Sequence, residues 1–327
     1  MIQAATTLAA GVTPLALDVK LKVGQPLVVG LLQGSVYGLI ALGLVLLYKS
    51  NRIFNFAQAE FGTVAGISAY LALNGKLFHI PWHMPYAVAC LVGILIGTVS
   101  AVLTERLVVR PLFDRPKVIL VVGTVGVLLL LIALESLVFP EGKSLPAFNN
   151  PKVGVFRSLK DPAARLGFAN YNLQWEQILT LVTLVILALA SVAFFRYSRS
   201  GTAILAVSQE PVAAQTVGIS VSRISLITWT LAGLLGSVAG ILVLAGSAVV
   251  GPGVVTGTTL VGGITAAVLG GVTSLPGAFV GGLLVGLLQS YAGTFLTQFP
   301  GSESVAVGVV LLLVLLVRPR GLLGQEA

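Results

Sequence analysis

The sequence is poor in charge for its length. Asp, Glu, Lys and Arg make up only 9% of its 327 residues, and 56% are hydrophobic, whereas about a quarter of the residues of a typical soluble domain are charged. So few charges cannot cover the surface of a soluble fold of this size. Apolar runs instead recur along the whole chain with one long polar interruption, which predicts a single membrane domain.

Residues that commonly carry catalysis or bind metals are also scarce. The two histidines, His79 and His83, lie four positions apart, but Pro81 and Pro85 disfavour the helix that would align them for a metal ion. The single cysteine, Cys90, lies inside an apolar run. There is no phosphate-binding loop of the Gly-x-x-x-x-Gly-Lys type and no nucleophile with an obvious nearby histidine. The sequence therefore predicts neither an enzyme nor a metal ion or cofactor, and any ATP hydrolysis that drives the protein would belong to another chain.

Nine apolar runs are candidates for membrane-spanning helices, each of which needs roughly 20 apolar residues to cross a bilayer. They predict an all-α polytopic membrane protein, a bundle of about 8–9 transmembrane helices. The seventh and ninth runs are short, and each could instead be tilted or re-entrant. In order, the runs are Pro26 to Tyr48, Phe54 to Leu73, Pro85 to Leu103, Val118 to Phe139, Ile178 to Phe195, Ile224 to Leu244, Thr258 to Val272, Pro276 to Leu296 and Val305 to Val317.

Glycine is abundant, with 38 residues, and it recurs at a spacing of four within these runs. In membranes, small residues at this spacing let helix backbones approach closely. The pattern therefore predicts a compact bundle. The pairs are Gly34 and Gly38, Gly62 and Gly66, Gly93 and Gly97, Gly236 and Gly240, Gly277 and Gly281, and Gly282 and Gly286.

Lysine and arginine give the chain a formal charge of +8. They cluster at the ends of apolar runs rather than in a continuous stripe, which disfavours nucleic-acid binding. Four clusters fall on one side when nine spans alternate, and the positive-inside rule places that side in the cytoplasm. We therefore expect an extracytoplasmic segment at 1–25, a single transmembrane domain at 26–318 and a cytoplasmic tail at 319–327. Within the domain, 140–174 forms an external loop and 196–223 a cytoplasmic loop.

The polar run from Asn51 to Glu60 stands at the start of the second span, and ionisable groups inside a spanning segment are functional candidates by default. Asn55, Gln58 and Glu60 spread over more than one face if this stretch is helical, which suggests burial among helices or contact with a cavity. We take these three and Gln33, which interrupts the first span, as candidates for a translocation pathway. A structural network or hydrogen bonds between helices are the alternatives.

Two further acids lie at the ends of spans. Glu135 is near the outer end of the fourth, and Glu105 stands next to Arg106 at the inner end of the third. Such side chains can pair locally or extend to water at the membrane surface, so we expect structural roles for both.

The predicted cytoplasmic loop carries the signal of a short helix. Pro211 suits its first position, with Glu210 near the cap, and Gly218 suits its end. Ala213 and Ala214 give this helix a small surface that another protein can approach closely. The segment is either a simple connection or a docking element for a cytoplasmic partner.

Five stretches of the sequence form a pattern that extends over most of the chain. They are Gly34 to Leu44, Asn55 to Glu60, the set Glu210, Ala213, Ala214 and Gly218, Gly270 to Ala278, and Arg318 to Gly324. In this order they resemble the branched-chain amino acid permeases of bacterial ATP-binding-cassette (ABC) importers. Asn55 to Glu60 is similar to the family's Asn-Phe-Ala-x-Gly-Glu signature, with Ala59 in place of Gly. Urea and short-amide permeases share much of the pattern.

The resemblance implies a permease of the branched-chain amino acid and ribose type that alternates access across the cytoplasmic membrane. It implies as partners a second homologous permease subunit, two cytoplasmic ABC ATPases and an extracytoplasmic substrate-binding protein, with a small amino acid as substrate. Glu210, Ala213, Ala214 and Gly218 would then couple the permease to its ATPases. A stand-alone secondary transporter or channel is the main alternative, ahead of an intramembrane enzyme or a membrane scaffold.

Overall fold

Helices make up almost all of the described chain. The computed structural model describes residues 24–77, 84–138, 145–146, 175–246, 249–318 and 321–323. Its helices are α1 (Gly24–Asn51), α2 (Glu60–Leu73), α3 (Tyr86–Thr104, continued by a π turn at Glu105–Val109 and a 3₁₀ turn at Arg110–Leu112), α4 (Lys117–Val138), α5 (Trp175–Tyr197), α6 (Arg199–Gln209), α7 (Pro211–Thr216), α8 (Val221–Gly246), α9 (Val254–Gly270), α10 (Leu275–Phe295) and α11 (Ser302–Val317). Two short strands, β1 (Leu145–Pro146) and β2 (Val249–Val250), pair antiparallel. Most of the predicted segments 1–25, 140–174 and 319–327, and both histidines, lie outside the described residues.

Each of the nine predicted spans corresponds to a helix in the described part of the chain. α1, α3, α4, α5, α8 and α10 are long and apolar enough to cross a membrane, whereas α2, α9 and α11 are shorter. The predicted shortness of the seventh and ninth spans is therefore confirmed in α9 and α11. The prediction for the second span is wrong at its start, because the helix begins at Glu60 rather than Phe54.

α1 forms the centre of the bundle. It packs against α5, α8, α9 and α10. Of the residues in its most apolar stretch, 72% are buried, against 22% in the corresponding stretches of α4 and of α5. Leu39, Ile40 and Leu44 are completely enclosed. A helix that is apolar all round belongs in a protein interior, whereas α3, α4, α5 and α11 turn rows of leucine and valine outward.

Glycines determine how closely these helices approach. A Cβ atom on Gly34 of α1 would lie only 2.7 Å from the Cα atom of Leu283 in α10. α2 and α8 meet in the same way, because a Cβ atom on Gly62 would lie 2.8 Å from the Cα atom of Gly240. Only glycine permits backbones to approach this closely, so the compact packing predicted from glycine spacing is confirmed.

α6 and α7 lie together at one end of the bundle, which we call the α7 end. There the buried Glu105 forms an ion pair of 3.3 Å with Arg110 across the π turn. The Arg110 guanidinium also donates to the carbonyl of Ser222 at the start of α8. Local pairing of Glu105 is therefore confirmed, although the partner is Arg110 and not the neighbouring Arg106.

Candidate functional site

The chain between α1 and α2 enters the bundle as an irregular segment, residues 53–59, which we call the buried polar segment. Asn55, Ala57 and Gln58 are completely buried within it. The Asn55 side chain accepts a hydrogen bond of 3.0 Å from the N–H of Ala57. Such a local bond between a side chain and the backbone competes with helix formation. The helix that the sequence predicts from Phe54 therefore starts only after this turn.

Neighbouring helices satisfy the polar groups of the buried polar segment. The N–H of Phe56 donates to the hydroxyl of Thr124 in α4 at 3.2 Å. Gln58 donates through Nε2 to the carbonyl of Ala232 in α8 at 2.8 Å. Non-helical backbone persists at membrane depth only where protein or a water-filled cavity surrounds it, and α4 and α8 enclose it here.

The buried polar segment reaches the middle of the bundle. Just before it, the side chain of Asn51 donates to Ser225 near the start of α8 at 3.3 Å. At its other end, Gln58 meets Ala232 near the middle of the same helix. With a helical rise of 1.5 Å per residue, the segment advances about 10 Å along α8. Gln58 and Glu60 thus lie deeper than the helix end at which the sequence placed them.

Glu60, the first residue of α2, meets a second acid from α4. Glu60 is completely buried and accepts a hydrogen bond from the hydroxyl of Thr256 in the first turn of α9. Glu135 is 5% exposed and accepts a bond of 3.1 Å from the N–H of Gly253, directly before α9. The two carboxyl groups are close enough to interact electrostatically. The expectation that Glu135 reaches water or pairs locally is therefore wrong.

Each of the two carboxyl groups keeps one oxygen without a donor. Oε1 of Glu60 and Oε1 of Glu135 have no hydrogen-bond partner among the described residues. Glu60 is the first residue of α2, and the Glu135 side chain reaches the start of α9. The N-terminus of a helix favours negative charge. The acid pair is thus able to interact with a cationic group where two helices begin.

Gln33 lies in a different place from the other predicted pathway residues. It lines a cavity of about 430 Å³ between α1, α10 and α11, together with Ser290, Thr294 and Glu303. Its Oε1 atom is buried and has no partner among the described residues. Asn55, Gln58 and Glu60 are not part of this lining. Of the predicted pathway residues, Asn55, Gln58 and Glu60 are neighbours in the chain at the start of α2, whereas Gln33 lies in a separate cavity.

The short helix predicted at Pro211 is confirmed as α7. Glu210 is its N-cap, and Gly218 follows it with a φ of 87°, a left-handed conformation that favours glycine. Ala213 and Ala214 face different ways, since Ala213 is exposed whereas Ala214 is 4% exposed and packs against the core. Gly218 also lines a groove of about 660 Å³ at the α7 end, which extends to Asn51.

Sequence reasoning found three members of the buried cluster and missed two. Asn55, Gln58 and Glu60 stand out because they are polar within an apolar context. Glu135 gave the same signal, but its partner comes from another helix and could not be read from its neighbours. Thr256 lies in a glycine-rich stretch without any distinguishing signal. No group of acids, histidines and cysteine that could hold a metal ion occurs in the described part of the chain.

The fold and the buried cluster define the class of protein, a multi-pass transport protein of the cytoplasmic membrane. Over residues 27–317 the sequence matches the family described as branched-chain amino acid transport system, permease component. The chain belongs to this family. The resemblance seen in the motifs and the all-α polytopic fold class are therefore confirmed.

Relatives from bacteria and an archaeon are similar over nearly the whole chain. The high-affinity branched-chain amino acid transport system permease protein LivH of Escherichia coli (strain K12) is 30% identical over 304 residues, which cover 90% of this chain and 94% of the relative. The corresponding protein BraD of Pseudomonas aeruginosa is 30% identical over 312 residues, 92% of this chain and 95% of the relative. A probable LivH of Methanocaldococcus jannaschii is 28% identical over 295 residues, 88% of each chain. No solved structure matches the chain.

Proposed function

We propose that this chain is the membrane-spanning subunit of an ABC importer that carries branched-chain or similar small amino acids across the cytoplasmic membrane by alternating access. The observation that carries the proposal is the buried polar cluster around Glu60, where α2 and α9 both begin inside the bundle. Transporters commonly bind substrates where interrupted helices start at mid-membrane. The names of the relatives support branched-chain amino acids as substrate and do not favour urea or short amides.

An amino acid has two charged ends, and the cluster offers a counterpart for each. The N-termini of α2 and α9 attract a carboxylate, and the paired acids Glu60 and Glu135 attract an ammonium group. Asn55 and Gln58 border this place and shape it. Gln33, in the cavity at the end opposite to α7, acts earlier, where substrate enters.

Membership of the permease family supports separate partner chains, and the sequence itself has no phosphate-binding loop of the Gly-x-x-x-x-Gly-Lys type. ATP is hydrolysed on two separate ABC ATPases, which engage α7 in the cytoplasm through Glu210, Ala213, Ala214 and Gly218. A second homologous permease completes the pathway, and an extracytoplasmic binding protein delivers the substrate. ATP drives uptake only if it biases conformations that differ in substrate affinity, so the attachment at α7 has to alter the cluster around Glu60.

Reconstitution into liposomes tests the proposal. With the sister permease, both ATPases and the binding protein present, we expect ATP-dependent uptake of leucine, isoleucine or valine, and loss of uptake when any one component is omitted. Uptake by this chain alone, without ATP, would establish a stand-alone transporter or channel. Uptake of urea or a short amide in preference to the three amino acids would contradict the assigned substrate.

A further inference from the structure

The last turn of α1 is joined to the buried polar segment by a residue in an unusual conformation. Arg52 has a φ of 56° and is the one residue other than glycine with positive φ in the described part of the chain. Side chains are sterically disfavoured in this region, and only the surrounding structure keeps them there. Glycine would adopt this backbone conformation without strain, so the presence of arginine indicates that its side chain has a role.

The Arg52 guanidinium binds the chain just before α7. Its Nη2 atom donates to the carbonyl of Ser208 at 2.8 Å. Ser208 lies in the last turn of α6, two positions before Glu210, the cap of α7. Hydrogen bonds from a charged donor are among the stronger ones in proteins. The residue directly before the buried polar segment is therefore bonded to the last turn of α6, which leads into α7.

Asn51, the residue before Arg52, contacts the helix that follows α7 in the sequence. Asn51 donates to Ser225 in the first turns of α8, the helix that follows α7. Positions 51 and 52 thus bind the elements before and after α7. Directly behind them the chain continues to Gln58, which is hydrogen-bonded to the carbonyl of Ala232 at the middle of α8.

We infer that Arg52 is a positioning residue that transmits a displacement of α7 to the buried polar segment. The inference rests on the proposed attachment of the ATPases at α7. When α7 and the end of α6 move together, the bond to Ser208 draws Arg52 with them. The short path from Arg52 to Gln58 then shifts the polar groups of the segment against α8. Without the Arg52 side chain, α7 still engages the ATPases, but its displacement no longer reaches the segment.

Three replacements at one position separate this role from a purely conformational one. Arg52→Gly removes the side chain and suits the positive φ, so this variant keeps the fold. Arg52→Ala removes the side chain and retains the backbone strain. Arg52→Lys keeps the charge and a hydrogen-bond donor group but loses the planar guanidinium. Arg199, also exposed at the α7 end, supplies the matched control Arg199→Ala.

The measurement is the ratio of ATP hydrolysed to substrate taken up by the complete importer in liposomes. We expect Arg52→Gly and Arg52→Ala to raise this ratio roughly fivefold, the scale on which residues between coupled sites modulate coupling. ATP hydrolysis stimulated by the binding protein should persist in both. Arg52→Lys should lie between these variants and the unaltered protein, and Arg199→Ala should leave the ratio unchanged.

Normal coupling in Arg52→Gly with a defect only in Arg52→Ala would overturn the inference, because the backbone conformation alone would then matter. If Arg52→Gly does not assemble, the Arg52→Ala variant decides, and a ratio equal to that of the unaltered protein contradicts the role. The variant Ala213→Arg distinguishes a failure of the proposed ATPase attachment at α7 from a failure of the role of Arg52. Normal coupling in Ala213→Arg contradicts the attachment at α7 itself, whereas uncoupling in Ala213→Arg together with normal coupling in Arg52→Gly contradicts only the role of Arg52.

Discussion

Glu60 and Glu135 approach each other inside the bundle although α3 separates their helices in the sequence. Each is anchored by one carboxylate oxygen at the start of α9, Glu60 through Thr256 and Glu135 through the backbone of Gly253. The pair therefore ties α2, α4 and α9 together at one point. Any motion that separates α9 from α2 or α4 has to break these bonds, which makes the pair sensitive to the conformational state of the bundle.

The first prediction concerns this acid pair. Glu60→Gln keeps the shape of the side chain and an oxygen that can accept from Thr256, so we expect normal amounts of assembled complex. Uptake should fall by at least about tenfold, since a hydrogen bond to a charged group contributes about 1.5–3 kcal/mol. Glu135→Gln should have a similar effect, because the two acids act on the same group.

Initial rates of leucine uptake, normalised to the amount of complex, check this prediction. Normal kinetics in both Glu60→Gln and Glu135→Gln would remove the pair from the pathway and leave it a structural role in holding α9.

The second prediction separates two neighbouring residues of α7. Ala213 is exposed, so Ala213→Arg should insert and fold normally while uptake is lost and ATP hydrolysis continues. Ala214 is 4% exposed, and Ala214→Arg should instead reduce the amount of folded protein, since overpacking alone costs about 1–3 kcal/mol. Uptake, ATP hydrolysis and the yield of complex distinguish the two outcomes.

Thr202→Arg provides the control for a bulky cation at another exposed position near α7. It should leave uptake and ATP hydrolysis coupled. Equal loss of uptake in Thr202→Arg and Ala213→Arg would point to a general effect of charge at this surface rather than to docking at α7.

The third prediction concerns orientation. A cysteine at position 213 should react with a membrane-impermeant maleimide in inverted vesicles but not in intact cells, because the positive-inside rule places the loop between α5 and α8 in the cytoplasm. Thr297→Cys, at the exposed end of α10, should show the opposite pattern. Native Cys90 is half-buried in α3 and is replaced by alanine in both variants. Labelling of position 213 from outside would invert the whole assignment of sides.

The fold was largely predictable because lipid imposes a simple rule on sequence. Each spanning helix must be a long apolar run, and the spacing of Gly34 and Gly38 or Gly236 and Gly240 marks close helix contacts. The break before Glu60 was not predictable in this way. Hydrophobicity indicates that a segment is buried but not whether it is helical, so it could not show that residues 53–59 are irregular. The turn depends on the Asn55 side chain and on hydrogen bonds to Thr124 and Ala232, which are remote in sequence.

The candidate site was predictable only in part, because its hydrogen-bond partners are also remote in sequence. Residue type identifies Asn55, Gln58 and Glu60 as costly in an apolar environment, and all three are completely buried in the structure. Residue type does not identify the hydrogen-bond donors that compensate the cost of burying these side chains. Thr256 and the N–H of Gly253 come from α9, and their contribution depends on the packing of α9 against α2 and α4, which no local pattern encodes.

The last prediction tests the packing of α1 against α10. Gly34→Ala would place a Cβ atom 2.7 Å from the backbone of Leu283, and backbone cannot move aside as a side chain can. The helices must separate, so we expect a loss of about 1–3 kcal/mol of stability and a lower melting temperature in detergent. Gly126→Ala is the matched control, since no atom lies within 4 Å of the added Cβ and alanine favours a helix by up to about 1 kcal/mol. Equal or higher stability of Gly34→Ala would show that the contact between α1 and α10 tolerates side chains, and the compact bundle inferred from glycine spacing would then need another cause.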